Sequence, residues 1–172
     1  MRTATAAALR PASLLRPPLA VVSFSGFVHI QQETAMLQLN PYLMFNGNCE
    51  EAFNRYHEVL GGRIEAMLRH KGSPAEGSVP AEWQDKIMHA CLIVGDFRLM
   101  ASDAPPAYQE PMRGWSVNIG VDTVAEAERI YAALSEGGEI RMPLEKTFWA
   151  ERFGMLVDRF GTPWMINCTG TA

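Results

Sequence analysis

Apolar positions along the chain switch between two periods, and the switch happens twice in the same order. Tyr42 to Phe45 (YLMF) is a short apolar run between Pro41 and the turn pair Asn46-Gly47, which predicts a buried strand. From Asn48 the period lengthens. Phe53, Tyr56, His57 and Leu60 recur at helical spacing, with Glu50 and Glu51 in the first turn and Gly61-Gly62 as a stop. Asn48 is the expected cap. Strands are expected over 63–68, 87–94 and 97–102. The second round begins with a strand over 117–121 and a helix opened by Asp122 or Thr123. Ala127, Ile130, Tyr131 and Leu134 mark the apolar stripe of that helix, and Gly137-Gly138 follow it. Strands over 139–144, 153–157 and 163–168 complete the round.

The two rounds align residue by residue. Glu51-Ala52 recurs as Glu126-Ala127 and Tyr56 as Tyr131, both 75 positions on. Gly61-Gly62-x-Ile64 recurs as Gly137-Gly138-x-Ile140, 76 positions on. Met100 is matched by Met165 and Ser102 by Asn167. A repeat of this length predicts an α+β fold of two β-α-β-β-β modules, at about 37–103 and 114–169, forming a curled mixed sheet around a cavity. One module alone would leave a sheet edge unprotected. The repeat also bears on NGNCEEAF, where a thiol stands beside two carboxylates. The glutamates recur as helix-start residues, and Cys49 is matched by Val124. A structural thiol is therefore the stronger reading, since no base is placed beside it.

Composition narrows the function. A net charge of -4 and no Lys/Arg-rich run argue against a nucleic-acid partner. No apolar stretch approaches the roughly 20 residues of a membrane span, so no membrane partner is expected. Cys49, Cys91 and Cys168 are scattered, with no CxxC, which fits a cytoplasmic location and makes each a small apolar side chain. Residues 1–35 differ from the rest. They carry Arg2, Arg10 and Arg16, no acid before Glu33, and prolines at 11, 17 and 18. They read as an organelle leader or, preferably, as an extension upstream of a true start at Met36; the domain is placed at 36–172.

PYLMFNGNCEEAF, IMHACLIVGDFRLMASD, PLEKTFWAERFG and DRFGTPWMIN resemble the PhnB-like family of the vicinal oxygen chelate superfamily, the group of glyoxalase I, bleomycin-resistance proteins and extradiol dioxygenases. The resemblance runs from about Leu37 to Asn167. The same family carries the description 3-demethylubiquinone-9 3-methyltransferase. Methyl transfer is the least favoured reading, because the chain has no GxGxxG and the wrong element order for a doubly wound sheet.

The resemblance implies four positions for metal ligands. They fall at Asn40 or Pro41, at Met100, at Ser116 and at Met165. None suits a hard or borderline divalent ion, so no cofactor is predicted. What remains is a pocket. Strand alternation turns Ser116 and Asn118 towards it, with Met100, Ser102, Met165 and Asn167. Trp149 is expected at the mouth, Trp164 in the core, and 70–85 as a loop able to act as a lid. His89 resembles a family histidine and is the one candidate catalytic residue, as a general base or ligand anchor; a core histidine is the equal alternative. The expected function is a metal-free binding protein for a small apolar or aromatic molecule, acting as a homodimer. The alternative is a glyoxalase- or dioxygenase-type enzyme using His89 or a metal site not evident in the sequence.

Overall fold

A computed structural model describes residues 38–170; the expectation for 1–35 lies outside the described residues. The first module runs β1 (Tyr42–Phe45), α1 (Cys49–Leu60), β2 (Arg63–Arg69), β3 (Ile87–Val94) and β4 (Phe97–Asp103). The second runs β5 (Val117–Val121), α2 (Val124–Ser135), β6 (Glu139–Glu145), β7 (Arg152–Val157) and β8 (Pro163–Cys168). Each module folds into its own four-stranded sheet, in the order β1-β4-β3-β2 and β5-β8-β7-β6. In both, the first strand pairs parallel with the last and the other pairs are antiparallel. The fold is thus the expected pair of β-α-β-β-β modules with mixed sheets. The sheets stay open: within one chain they do not join around a single closed interior.

Alternation explains which face each sheet buries. Leu43, Phe45, Ala90, Leu92, Leu99 and Ala101 turn to one side and pack on Ala52, Phe53, Tyr56 and Val59 of α1. Leu156, Trp164, Ile166 and Cys168 pack in the same way on Ala127, Ile130, Tyr131 and Leu134 of α2. Both sets belong to one apolar core. The helices meet inside it: Arg55 donates to the Ala133 carbonyl at 3.1 Å, and Arg129 donates to the Val59 carbonyl at 2.8 Å. Tyr56 of α1 reaches into the second module, where its ring meets Trp164 edge-on at 5.1 Å. Its hydroxyl donates to Asp158 Oδ2 at 2.6 Å and lies 2.9 Å from Thr162 Oγ1. Asp158 is buried but satisfied, taking Trp164 Nε1 on the same oxygen and the Phe160 and Thr162 N–H groups on the other.

This joint decides where a site can be. Each sheet has its helix on one face, and the two helices share one core. The bare faces of both sheets therefore look away from that core, each towards its own side.

Candidate functional site

On the first sheet the bare face is set by register. Tyr42 pairs with Met100, and Met44 with Ser102. Met100 pairs across with Cys91, and His89, two residues earlier on β3, pairs with Leu68. His89, Met100 and Ser102 thus share one face, with Tyr42 and Met44 beside them. The Tyr42 and His89 rings stack with centroids 6.0 Å apart, and Tyr42 Oη lies 3.3 Å from His89 Nδ1. A hydroxyl at that distance can fix which imidazole nitrogen carries the proton. Tyr42 was not among the expected residues, although the alternation that points Met100 outward also points Tyr42 outward.

On the second sheet Asn118 pairs with Met165, Gly120 with Asn167, Met155 with Met165 and Phe153 with Asn167. A cavity of about 600 Å³ opens at one end of this face. Ser116, Met155, Met165 and Trp115 line it, and so do Arg113 and Arg141. Arg141 lies in a register break between Ile140 and Met142 of β6, and Arg113 lies in the segment before β5. Neither arginine was among the expected site residues, because the expected pocket rests on the first and last strands of each module and neither residue lies there. Asn118, Asn167 and Trp149 are not among the cavity-lining residues. Trp149 stands instead at the far end of the face, edge-on to Phe153 at 5.5 Å. The neighbouring Phe148, 4.5 Å away in the same turn, is 96% exposed. The expected residues therefore fall into two groups, His89, Met100 and Ser102 on one sheet and Ser116, Asn118, Trp149, Met165 and Asn167 on or beside the other.

The implied metal positions need one correction. Asn40 and Pro41 precede β1, and the Pro41 carbonyl is taken by the Met100 N–H at 3.2 Å. By register Tyr42 is the neighbour of Met100, and Asn118 rather than Ser116 is the neighbour of Met165. A phenol, an amide and two thioethers, spread over two sheets, do not fit a divalent ion that prefers carboxylate or imidazole. Among the described residues, no group of three or more His, Cys, Asp or Glu side chains is placed to hold a metal ion.

Two residues near the start of α1 have structural tasks. Asn48 makes no side-chain cap bond, contrary to expectation. The Cys49 N–H is taken by Asp103 Oδ1 at 3.0 Å, while Asp103 Oδ2 takes the Ile87 N–H at 2.8 Å. Asp103 is 3% exposed and so ties the end of β4 to the start of α1 and of β3. Cys49 is fully buried, and burial, then the Asp103 and Glu50 charges, push its thiol far above the ordinary range. Its full burial fits the structural thiol that the repeat implied. Trp164 is in the core as expected, 1% exposed. Segment 70–85 is more built than a simple loop. Backbone bonds from His70 to Lys86 and from Lys71 to Gln84 extend the hairpin, two short turns follow at Glu76–Ser78 and Ala81–Trp83, and Trp83 is buried.

The family model described as 3-demethylubiquinone-9 3-methyltransferase matches residues 37–167. The chain is 33% identical to protein YjdN of Escherichia coli over 139 residues, 76% of this chain and 95% of that one. The solved structure of protein PA1353 from Pseudomonas aeruginosa is 57% identical, covers 79% of this chain and all of its own, and superposes with a TM-score of 0.74. The PhnB protein of Bacillus cereus (23% identity, TM-score 0.64, covering 77% of this chain and 99% of its own) has the same fold. So does the fosfomycin resistance protein FosX of Mesorhizobium loti (12% identity, TM-score 0.52, covering 80% and 94%). Module order, sheet pairing and the match over 37–167 agree: the chain belongs to the PhnB-like, or 3-demethylubiquinone-9 3-methyltransferase, family, and its fold is the one shared by the PhnB and fosfomycin resistance proteins.

Proposed function

We propose that the protein binds a small, largely apolar molecule without a metal, as a homodimer in which the second copy covers the bare sheet faces. One observation carries this reading: both bare faces are lined by methionine and aromatic side chains around a few polar groups, and one already holds a cavity of about 600 Å³. That size and make-up are those of small-molecule pockets, and methionine adapts to irregular ligands. Tyr42, Met44 and Met142 are each at least 40% exposed. Because the faces look away from the shared core, one chain cannot cover them with its own other half. Methyl transfer has no support in the geometry, since neither sheet is the parallel, doubly wound sheet of a nucleotide-cofactor fold.

The test is metal content by mass spectrometry on the full chain, purified without chelator, before and after incubation with Mn, Ni, Zn and Fe. Near-zero occupancy throughout supports the binding reading. One tightly held ion per chain overturns it in favour of a metal-dependent enzyme. A second reading draws on the Tyr42–His89 contact: an enzyme of glyoxalase or dioxygenase type with His89 as base. His89→Ala should then abolish turnover and leave the melting temperature unchanged.

A further inference from the structure

The cavity on the second sheet has a charge pattern that a purely apolar ligand would not need. Among the described residues, Arg113 and Arg141 are the only charged ones that line it. The whole chain has a net charge of -4, so two guanidinium groups lining one cavity run against its overall balance. Arg113 forms no ion pair among the described residues. Arg141 meets Glu139 at 2.9 Å, but both side chains are more than half exposed, and such a pair contributes little and is easily exchanged. Apart from Ser116 the rest of the lining is largely apolar: Trp115, Met155 and Met165 offer a surface for a flat or aliphatic body.

The internal repeat supplies a comparison within the same molecule. Arg141 sits in the register break of β6, and Glu65 sits in the matching break of β2, between Ile64 and Ala66. Glu65 is neutralised there by Arg98. One bulge position thus carries opposite charges in the two modules. In the first module the charge is consumed internally. In the second the guanidinium is delivered to a cavity, so the bulge itself does not demand an arginine.

Resting on the small-molecule reading above, we infer that this cavity takes an anionic amphipathic molecule. Its oxyanion head, of carboxylate, sulfonate or phosphate type, is met by Arg113 and Arg141, and its apolar body lies over Trp115, Met155 and Met165. Guanidinium forks suit such heads through paired charge-assisted hydrogen bonds.

The test compares two dyes that share an apolar body, 8-anilinonaphthalene-1-sulfonate and the uncharged N-phenyl-1-naphthylamine, titrated by fluorescence against the full chain. The sulfonate should bind at least about tenfold more tightly, with an advantage that shrinks as salt rises. In the double variant Arg113→Gln, Arg141→Gln the advantage should vanish while the neutral dye keeps its affinity. Both side chains are exposed, so the fold should persist, as far-UV circular dichroism would show. Equal affinities in the unaltered protein, or an advantage that survives the double variant, would overturn the anionic inference and leave the small-molecule reading standing. Met165→Trp, which fills the cavity floor, should weaken both dyes. If neither dye binds, or if both ignore that substitution, the small-molecule reading falls as well.

Discussion

Asp103 shows how far the role of one side chain depends on partners remote in sequence. Its two oxygens each hold a buried backbone N–H, from Cys49 and from Ile87. Asp103→Ala would leave both groups without a partner, and each buried orphan costs about 1–3 kcal/mol. The variant should therefore lose at least ~2 kcal/mol in urea unfolding; an unchanged midpoint would mean that neither bond matters. The sequence points to Asn48 as the cap, but the group that takes the Cys49 N–H comes from a strand 54 positions away. Cys49 was legible, since the repeat replaces it with Val124. Its thiol is held protonated, and Cys91 and Cys168 are buried too. Iodoacetamide at pH 8 should accordingly label Cys49 only after denaturation. Rapid native labelling at that position would show an accessible thiolate and reopen the nucleophile reading.

Among elements, the strands and helices follow the hydrophobic period closely because each has a single buried face. α2 is capped by Thr123, whose Oγ1 accepts the Glu126 N–H at 3.3 Å, one of the two residues expected there. What alternation hides is where the period breaks. The bulges at Glu65 and Arg141 fall at matching places in β2 and β6 and carry opposite charges. The glycine pairs after each helix are legible as stops, but their second task is packing. A Cβ on Gly62 would strike the Ile93 carbonyl of β3, and one on Gly138 would strike that of Val157 in β7, so in both modules the chain leaves the helix pressed against the third strand of its own sheet. Gly138 shows no left-handed φ, which isolates the contact from backbone preference. Gly138→Ala should destabilise by more than ~1 kcal/mol through overpacking. Gly120→Ala, with open space around it, should be neutral or mildly stabilising. Equal effects at the two positions in thermal unfolding would remove the steric argument.

For the whole molecule, the decisive feature is that the modules meet through their helices. The repeat predicted two modules curling one mixed sheet around a cavity, but it carried no information on which sides of the modules would face each other, and each module keeps its own open sheet. Tyr56 settles that, because a tyrosine whose hydroxyl is held by Asp158 and Thr162 can sit only between the modules. Its match in the other module, Tyr131, donates instead to the Met142 carbonyl at 2.9 Å, within its own half. One repeated residue is thus a joint in one copy and a local tie in the other. With the helices joined, the chain leaves Tyr42 and Met44 on one bare face, Met142 and Trp149 on the second module, and Phe148 almost wholly in solvent. Exposed apolar surface on two separate faces favours a partner that covers both, and a two-fold pairing of identical chains does so with one kind of contact. Sedimentation of the unaltered protein at micromolar concentration should accordingly give a dimer. Met44→Asp and Met142→Asp, each at a position already about 40% exposed, should shift it to monomer with little change in fold. A monomeric unaltered protein would defeat the homodimer, and a dimer that survives both substitutions would place its contact elsewhere. In either case each bare face would have to bind its ligand while open to water.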